Sequence, residues 1–147
     1  MQPLDSAPAP AGTSVYGPHS APAITVVLPT YNERDNVPVA IERVGKALEG
    51  RNWEIIVVDD DSPDGTADVV HALSERDGRV RCIRRVGRRG LSGACVEGMI
   101  AAASPIVAVM DSDLQHDETI LPRMLAAIER GEAEIAVGSR YVDGGAS

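Results

Sequence analysis

Apolar residues change their period several times along this chain, and the changes divide it into alternating elements. Short runs rich in valine and isoleucine, Ile24–Leu28, Glu54–Val58, Val80–Ile83, Ile106–Met110 and Ile135–Val137, read as buried strands. Helical spacing fills the intervals. Val37, Ala40, Ile41, Val44 and Leu48 form one stripe, and Val69, Val70 and Leu73 a shorter one. Leu91, Ala94, Cys95, Gly98, Met99 and Ala102 form a third, and Leu121, Met124, Leu125 and Ile128 a fourth. Asn36 is expected to cap the first helix, with Pro38 tolerated in its first turn, and Gly131 to stop the last. The order β-α-β-α-β-α-β-α-β predicts an α/β fold with a parallel sheet covered on both faces. In such sheets ligands bind beyond the carboxyl ends of the strands, where strand order reverses. The segments that follow the strands are therefore expected to carry the chemistry.

Residues 1–22 break the pattern. They hold five of the ten prolines, and Asp5 is their only charged residue. With neither periodicity nor bulky apolar groups to offset ordering entropy, they predict a disordered tail ahead of one folded unit over 23–147. The net charge of −8 argues against a nucleic-acid partner, which calls for a basic stripe. It leaves room for a phosphate ligand held through a divalent cation. Cys82 and Cys95 lack metal-site spacing and are expected to be buried free thiols in a reducing compartment. No apolar run reaches about 18 residues, so no transmembrane helix is expected in this chain, nor a secretory signal.

Four stretches stand directly behind predicted strands: Pro29-Thr30-Tyr31-Asn32-Glu33, Asp59 to Gly65, Asp111-Ser112-Asp113-Leu114-Gln115, and Gly138-Ser139-Arg140-Tyr141. Asp111, Asp113 and Gln115 offer hard oxygen ligands suited to Mg2+ or Mn2+. On extended backbone, alternate side chains share a face, so the three would converge on one cation; a solvated acidic loop capping the next helix is the plainer alternative. Among Asp59, Asp60 and Asp61, one carboxylate is expected to accept hydrogen bonds from a nucleotide base. Asp61 and Asp64 are expected to stabilise the Ser62-Pro63-Asp64-Gly65 turn. Tyr31 and Glu33 suit a base or ribose, with a loop plug and a solvated acid as the plainer alternative, and the Arg140 fork suits a phosphate, with a surface arginine near the chain end as its alternative. Arg84, Arg85, Arg88 and Arg89 form a dense basic run open to two readings, attraction of a diphosphate or anionic lipid, and a solvated loop. His116, beside the acidic loop, reads as structural or solvated, with help at the site as the alternative.

Val27 to Asn36, Val57 to Thr66, Arg89 to Ala94, Met110 to His116 and Gly138 to Tyr141 occur in this order. Together they resemble the polyprenol-phosphate (dolichol-phosphate) mannosyltransferases of glycosyltransferase family 2, from about Ile24 to the last residue. Five ordered motifs are far more specific than any one of them. The resemblance implies a GT-A-type, Rossmann-like parallel sheet flanked by helices. It implies nucleotide contacts at Pro29, Tyr31, Glu33, Val58 and Asp60. It also implies a site for Mg2+ or Mn2+ and diphosphate at Asp111, Asp113 and Gln115, with Ser112 packed beside it and Arg140 facing the phosphates.

The implied reaction moves mannose from GDP-mannose to a polyprenol phosphate with inversion, and Asp113, Asp111 and Arg140 serve the departing diphosphate. The acceptor oxygen is already anionic, so no strongly basic residue is required to deprotonate it. The implied partners are a nucleotide sugar and a polyprenol phosphate at a membrane surface, and the implied location is peripheral, on the cytoplasmic membrane face. A related enzyme using UDP-glucose or another donor, and a fragment that only binds nucleotide, are the alternatives. A phospho-acceptor receiver module fits poorly, because a full strand and helix precede the acidic strand end. The only lysine, Lys46, also falls in the first helix. Two departures from the family pattern stand out. Asp117-Glu118-Thr119 replaces the usual prolines, and the sequence stops at Ser147, so a donor site without its acceptor-side elements is expected.

Overall fold

A computed structural model of the protein describes residues 21–139. The tail expected over 1–22 falls almost wholly outside the described residues, as does Arg140. Four strands form one parallel sheet: β1 (Ile24–Thr30), β2 (Trp53–Asp59), β3 (Val80–Arg84) and β4 (Val107–Val109). They alternate with α1 (Val37–Ala47), α2 (Thr66–Ser74) and α3 (Leu91–Ala101), and α4 (Leu121–Glu129) follows a 3-10 turn at Glu118–Ile120. The strand order is β3-β2-β1-β4. The chain thus steps outward from β1 to β3 and then crosses back to the far side of β1. That reversal puts the topological switch point, where such sheets bind ligands, at the carboxyl ends of β1 and β4.

Strand alternation sorts the core into two layers. On one face Val26, Leu28, Ile55, Val57 and Val80 pack against Val37, Ala40 and Val44 of α1, Leu48 just after it, Val70 of α2, and Leu121 and Leu125 of α4. On the other, Val27, Ile56 and Val58 meet Ala94 of α3. Every residue of β1 and β2 is buried, as their near-continuous apolar runs predict for central parallel strands. β4 is shorter and half-exposed, with Val109 42% accessible. No helix among the described residues is long and apolar enough to cross a membrane.

Helix ends depart from expectation in one place. Gly131 adopts φ +69° just beyond α4 and donates its amide to the Ile128 carbonyl, the left-handed stop its position predicts. Asn36 precedes α1 but makes no side-chain cap; its amide nitrogen turns back to the Glu33 carboxylate at 2.7 Å. The expected fifth strand is the larger correction. Ile135 and Val137 are 80% and 83% exposed and lie in irregular backbone. An apolar run becomes a strand only when a ladder partner takes up its amides and carbonyls, and no sheet pairing among the described residues includes them. Gly138 instead lies close to Ile120, whose Cδ1 stands 2.7 Å from where a Cβ would be.

α3 approaches the sheet through Gly98. A Cβ there would lie 2.4 Å from Val27 Cγ1 and 3.1 Å from Val58 Cγ2. Both valines are fully buried, so the helix must lift or the strands must part. Gly98→Ala is expected to lower stability by roughly 1–2 kcal/mol in urea denaturation, overpacking outweighing the gain in helix propensity. Gly78→Ala, which would meet nothing within 4 Å, should leave the midpoint unchanged.

Candidate functional site

The loops after β1 and β2 are stitched together by three consecutive amides. Asn32 N–H donates to the Ser62 hydroxyl at 2.9 Å, Glu33 N–H to the Thr66 hydroxyl at 3.1 Å, and Arg34 N–H to the Asp64 carboxylate at 3.1 Å. Alternate residues of the second loop thus serve successive residues of the first. Asp64 also accepts from the Thr66 amide at 2.9 Å and from its hydroxyl. Desolvation pushes the Asp64 carboxyl up, but these hydrogen bonds outweigh it and hold the group below the usual carboxylate range.

The three adjacent carboxylates have three separate roles. Asp59 is fully buried and closes its own turn, accepting from the Ser62 amide at 2.9 Å, the Ser62 hydroxyl at 2.6 Å and the Thr30 hydroxyl at 3.1 Å. Asp60 is also buried; one oxygen takes Arg85 at 2.6 Å and the other the Gly90 amide at 2.7 Å. Asp61, in left-handed backbone at φ +58°, pairs with Arg84 near the surface. The basic run is therefore not uniformly solvated. Arg85 is 4% exposed, whereas Arg84, Arg88 and Arg89 are exposed.

Pro29, Thr30, Tyr31, Asp60, Leu91 and Ala94 line a cavity of about 140 Å³ at this edge of the sheet. Three of the expected nucleotide contacts, Pro29, Tyr31 and Asp60, thus share one wall. Thr30, Leu91 and Ala94 complete it; their residue types carry no signal of such a role in the sequence. The Arg89 guanidinium stands 4.9 Å from the centre of the Tyr31 ring, over the same opening. Glu33 lies beside the cavity rather than in its lining, its carboxylate engaged by Asn36. The Val58 side chain is wholly buried in the α3-side core, so only its backbone faces the strand end. A larger depression of about 440 Å³ at the opposite edge is lined by Trp53, Gly45, Lys46 and Arg79 among others. It gathers none of the strand-end motifs.

Beyond β4, residues 111–115 are not extended. Leu114 is left-handed at φ +64°, which breaks the alternation that would bring Gln115 into line with Asp111 and Asp113. The Gln115 amide instead donates to Asp113 Oδ1 at 3.0 Å, and His116 Nδ1 lies 3.8 Å from the same oxygen. Ser112 is buried and Asp111 exposed. Among the described residues no three histidine, cysteine, aspartate or glutamate side chains cluster as a metal site. Asp117 caps the next turn, accepting from the Thr119 amide at 3.0 Å. The two cysteines are free and half-buried; burial and nearby Asp59 push the Cys82 thiol up to about 11.

An open parallel sheet flanked by helices, with acidic loops following β2 and β4, is the sheet of a GT-A-type fold. The sequence model of glycosyl transferase family 2 matches residues 25–147, and the chain belongs to that family. It is 46% identical over 122 residues to a dolichol-phosphate mannosyltransferase of Pyrococcus furiosus, which covers 83% of this chain and 34% of that protein. It is 35% identical over 136 residues to a dolichol-phosphate mannosyltransferase of Mycosarcoma maydis, 88% of this chain and 46% of the relative. The chain thus spans about a third to a half of the length of these relatives.

Among solved structures it resembles a mannosyltransferase from Pyrobaculum calidifontis in complex with GDP-Man and Mn2+. The TM-score is 0.60 at 26% identity, covering 87% of this chain and 35% of that one. The fold is also that of glucosyl-3-phosphoglycerate synthase from Mycobacterium tuberculosis, with TM-score 0.59 at 24% identity over 73% of this chain and 39% of that one.

The stitched loops carry a consequence for pH. Asp64 has a depressed pKa, so its contribution to stability is complete above the unfolded value of about 3.9 and is lost as pH falls through the folded value. Stability should be level near neutrality and decline below about pH 4. Asp64→Ala should lower the plateau and make that acid limb shallower; an unchanged slope in pH-dependent urea unfolding would remove Asp64 from the explanation.

Proposed function

We propose that this chain forms the donor-binding half of an inverting glycosyltransferase that moves a hexose, mannose from GDP-mannose, onto a polyprenol phosphate at a membrane surface. The observation that carries this reading is the 46% identity, over 83% of the chain, to a dolichol-phosphate mannosyltransferase. The mannosyltransferase fold neighbour bound to GDP-Man and Mn2+ agrees with it in donor and metal. The cytoplasmic face of the membrane belongs to the same proposal, since that is where this chemistry would meet its lipid acceptor.

The base and ribose would enter the cavity at Pro29, Thr30, Tyr31 and Asp60, with Leu91 and Ala94 as its apolar wall. Arg89, over the Tyr31 ring, sits where it can follow the ring or turn toward a phosphate. Asp111 and Asp113 sit on a solvent-open loop across β1 from Asp60. Two hard carboxylates with open positions fit Mg2+ or Mn2+, which commonly bind through one or two carboxylates plus substrate phosphates. Asp113 and Asp111 would hold the ion, with Gln115 near enough in sequence to assist. When bound, such an ion neutralises charge on a departing diphosphate. Arg140 is the chain's remaining candidate to face those phosphates. No group placed here is called on to deprotonate the acceptor, whose attacking oxygen is already an anion.

Calorimetry with GDP and Mn2+ tests this directly. Asp113→Ala should abolish the Mn2+-enhanced part of GDP binding, a loss of roughly tenfold or more in affinity. Asp117→Ala, which removes only a turn cap, should bind within about twofold of the parent. Equal losses from the two changes would move the metal away from Asp113. A parallel thermal-shift series with GDP-mannose, UDP-glucose and UDP-GlcNAc, each with and without Mn2+, reads the donor; stabilisation by the uridine sugars alone would replace mannose in this reading.

A further inference from the structure

Arg85 is the most deeply buried cation among the described residues that form ion pairs, with 5% of its side chain exposed. Its guanidinium gathers three separate parts of the chain. Nη1 donates to Asp60 Oδ1 at 2.6 Å and to the Gly90 carbonyl at 3.0 Å, and Nε donates to Glu97 Oε1 at 3.3 Å. Its own amide continues the ladder from β3, donating to the Asp59 carbonyl at 2.8 Å. Asp60 completes a ring, because its second oxygen takes the Gly90 amide at 2.7 Å. Gly90 is thus held through both its amide and its carbonyl, in backbone (φ +123°) that side-chain-bearing residues rarely adopt.

Space for the guanidinium is provided by a second glycine. A Cβ on Gly93 would stand 2.5 Å from Arg85 Nη2, so the first turn of α3 closes over the cation only where no side chain intervenes. Glu97, one turn further on, is shared with exposed Arg88 at 2.7 Å. The strand-end loop from Arg85 to Gly90 is therefore tied at both ends to the same ionic cluster. Arg89, just before Gly90 in this tied loop, reaches the Tyr31 ring.

These contacts converge on the small cavity. Asp60, Leu91 and Ala94 are three of its six lining residues, and each is Arg85's direct partner or follows Gly90 closely on α3. Resting on the reading of this cavity as the donor-nucleotide pocket, we infer that Arg85 is a positioning residue that sets the pocket's width by clamping the Asp60 carboxylate, just past β2, to the start of α3. It touches no nucleotide itself. A lysine keeps the charge but lacks the planar fork that reaches Asp60, Gly90 and Glu97 together, so charge alone does not restore the clamp.

The test uses the 147-residue chain and two readouts. Hydrogen exchange of the Gly90 amide, followed by NMR without nucleotide, reports the clamp; calorimetry with GDP and Mn2+ reports the pocket. Arg85→Met should speed Gly90 exchange and weaken GDP binding, each by about tenfold or more, the scale of a lost charge-assisted hydrogen bond. Arg85→Lys should recover only part of both. Gly93→Ala, which crowds the guanidinium without removing it, should shift both in the same direction and carries the test if Arg85→Met does not fold. Arg84→Met, altering the exposed neighbour, should change neither. Faster Gly90 exchange with unchanged GDP affinity would overturn the inference and leave Arg85 as a brace of the fold only. Unchanged exchange in a folded Arg85→Met or Gly93→Ala would overturn it as well. Failure of the unaltered chain to bind GDP under any metal condition would instead strike the proposed function and take this inference with it, while Gly90 exchange would still show whether the clamp exists.

Discussion

Burial of β1 on all four sides is the constraint from which the site follows. β1 is hydrogen-bonded to β2 along one edge and β4 along the other, and helices cover both of its faces. All seven of its residues are buried. A strand so enclosed cannot slip, because a shift of one residue would exchange Val26 and Leu28 with Val27 across the sheet. The register therefore fixes Thr30 opposite Asp59, and the next residues on either side must leave the sheet together. Tyr31 and Asp60 meet at one cavity for that reason. β4 ends its pairing at Val27↔Val109, which delivers the second acidic loop to the other flank of the same strand.

The acidic surplus of the sequence is not a diffuse property in the folded chain. Asp59, Asp60 and Asp61 differ by single steps along the backbone and yet occupy three electrostatic environments. Asp59 is satisfied by hydroxyls and an amide, Asp60 by a buried guanidinium and an amide, and Asp61 by an exposed guanidinium. Alternation explains the division. Ile56 and Val58 face α3, and continuing that parity sends Asp60 to the α3 side, where Arg85 arrives from β3. A buried carboxylate without such a partner would be strongly destabilising, since breaking a pair of this kind costs about 3–5 kcal/mol. The same pairing removes Arg85 from the basic run as a surface charge. Arg84 and Arg88 pair in turn with Asp61 and Glu97, and Arg89 stands over the Tyr31 ring, so the run is a set of individual contacts.

Backbone strain among the described residues is concentrated where chemistry is proposed. The three non-glycine residues with positive φ, Asn32, Asp61 and Leu114, fall one in each of the loops that follow β1, β2 and β4. Asn and Asp tolerate this region, whereas leucine does so at a cost of about 1–2 kcal/mol. Asn32 and Asp61 are held in place by the bonds that stitch the loops and by Arg84. Leu114 packs against the larger core layer, which keeps the Asp111–Gln115 loop turned rather than extended.

Much of this protein is determined by its sequence alone. Four strands follow from short runs rich in valine and isoleucine, and four helices from a period of about 3.6, local signals that persist whatever the neighbours are. The five ordered motifs carry the family, since each supplies residue types that few other contexts require in that order. Gly131 as a helix stop is equally local. Tertiary structure decided the rest. Ile135–Val137 has the composition of a strand, but strand formation needs a partner ladder that no local pattern can provide. Asn36 looks like a cap until Glu33 competes for its side chain. Gln115 falls into line with Asp111 and Asp113 only on extended backbone, and the left-handed Leu114 breaks that alternation. Arg85 shows the limit most clearly. Parity with Ile83 would have placed it on the α3 side, but only the packed sheet brings Asp60, Gly90 and Glu97 around it. Those partners lie between 5 and 25 residues away, and the free energy of a buried charge depends on what surrounds it in space.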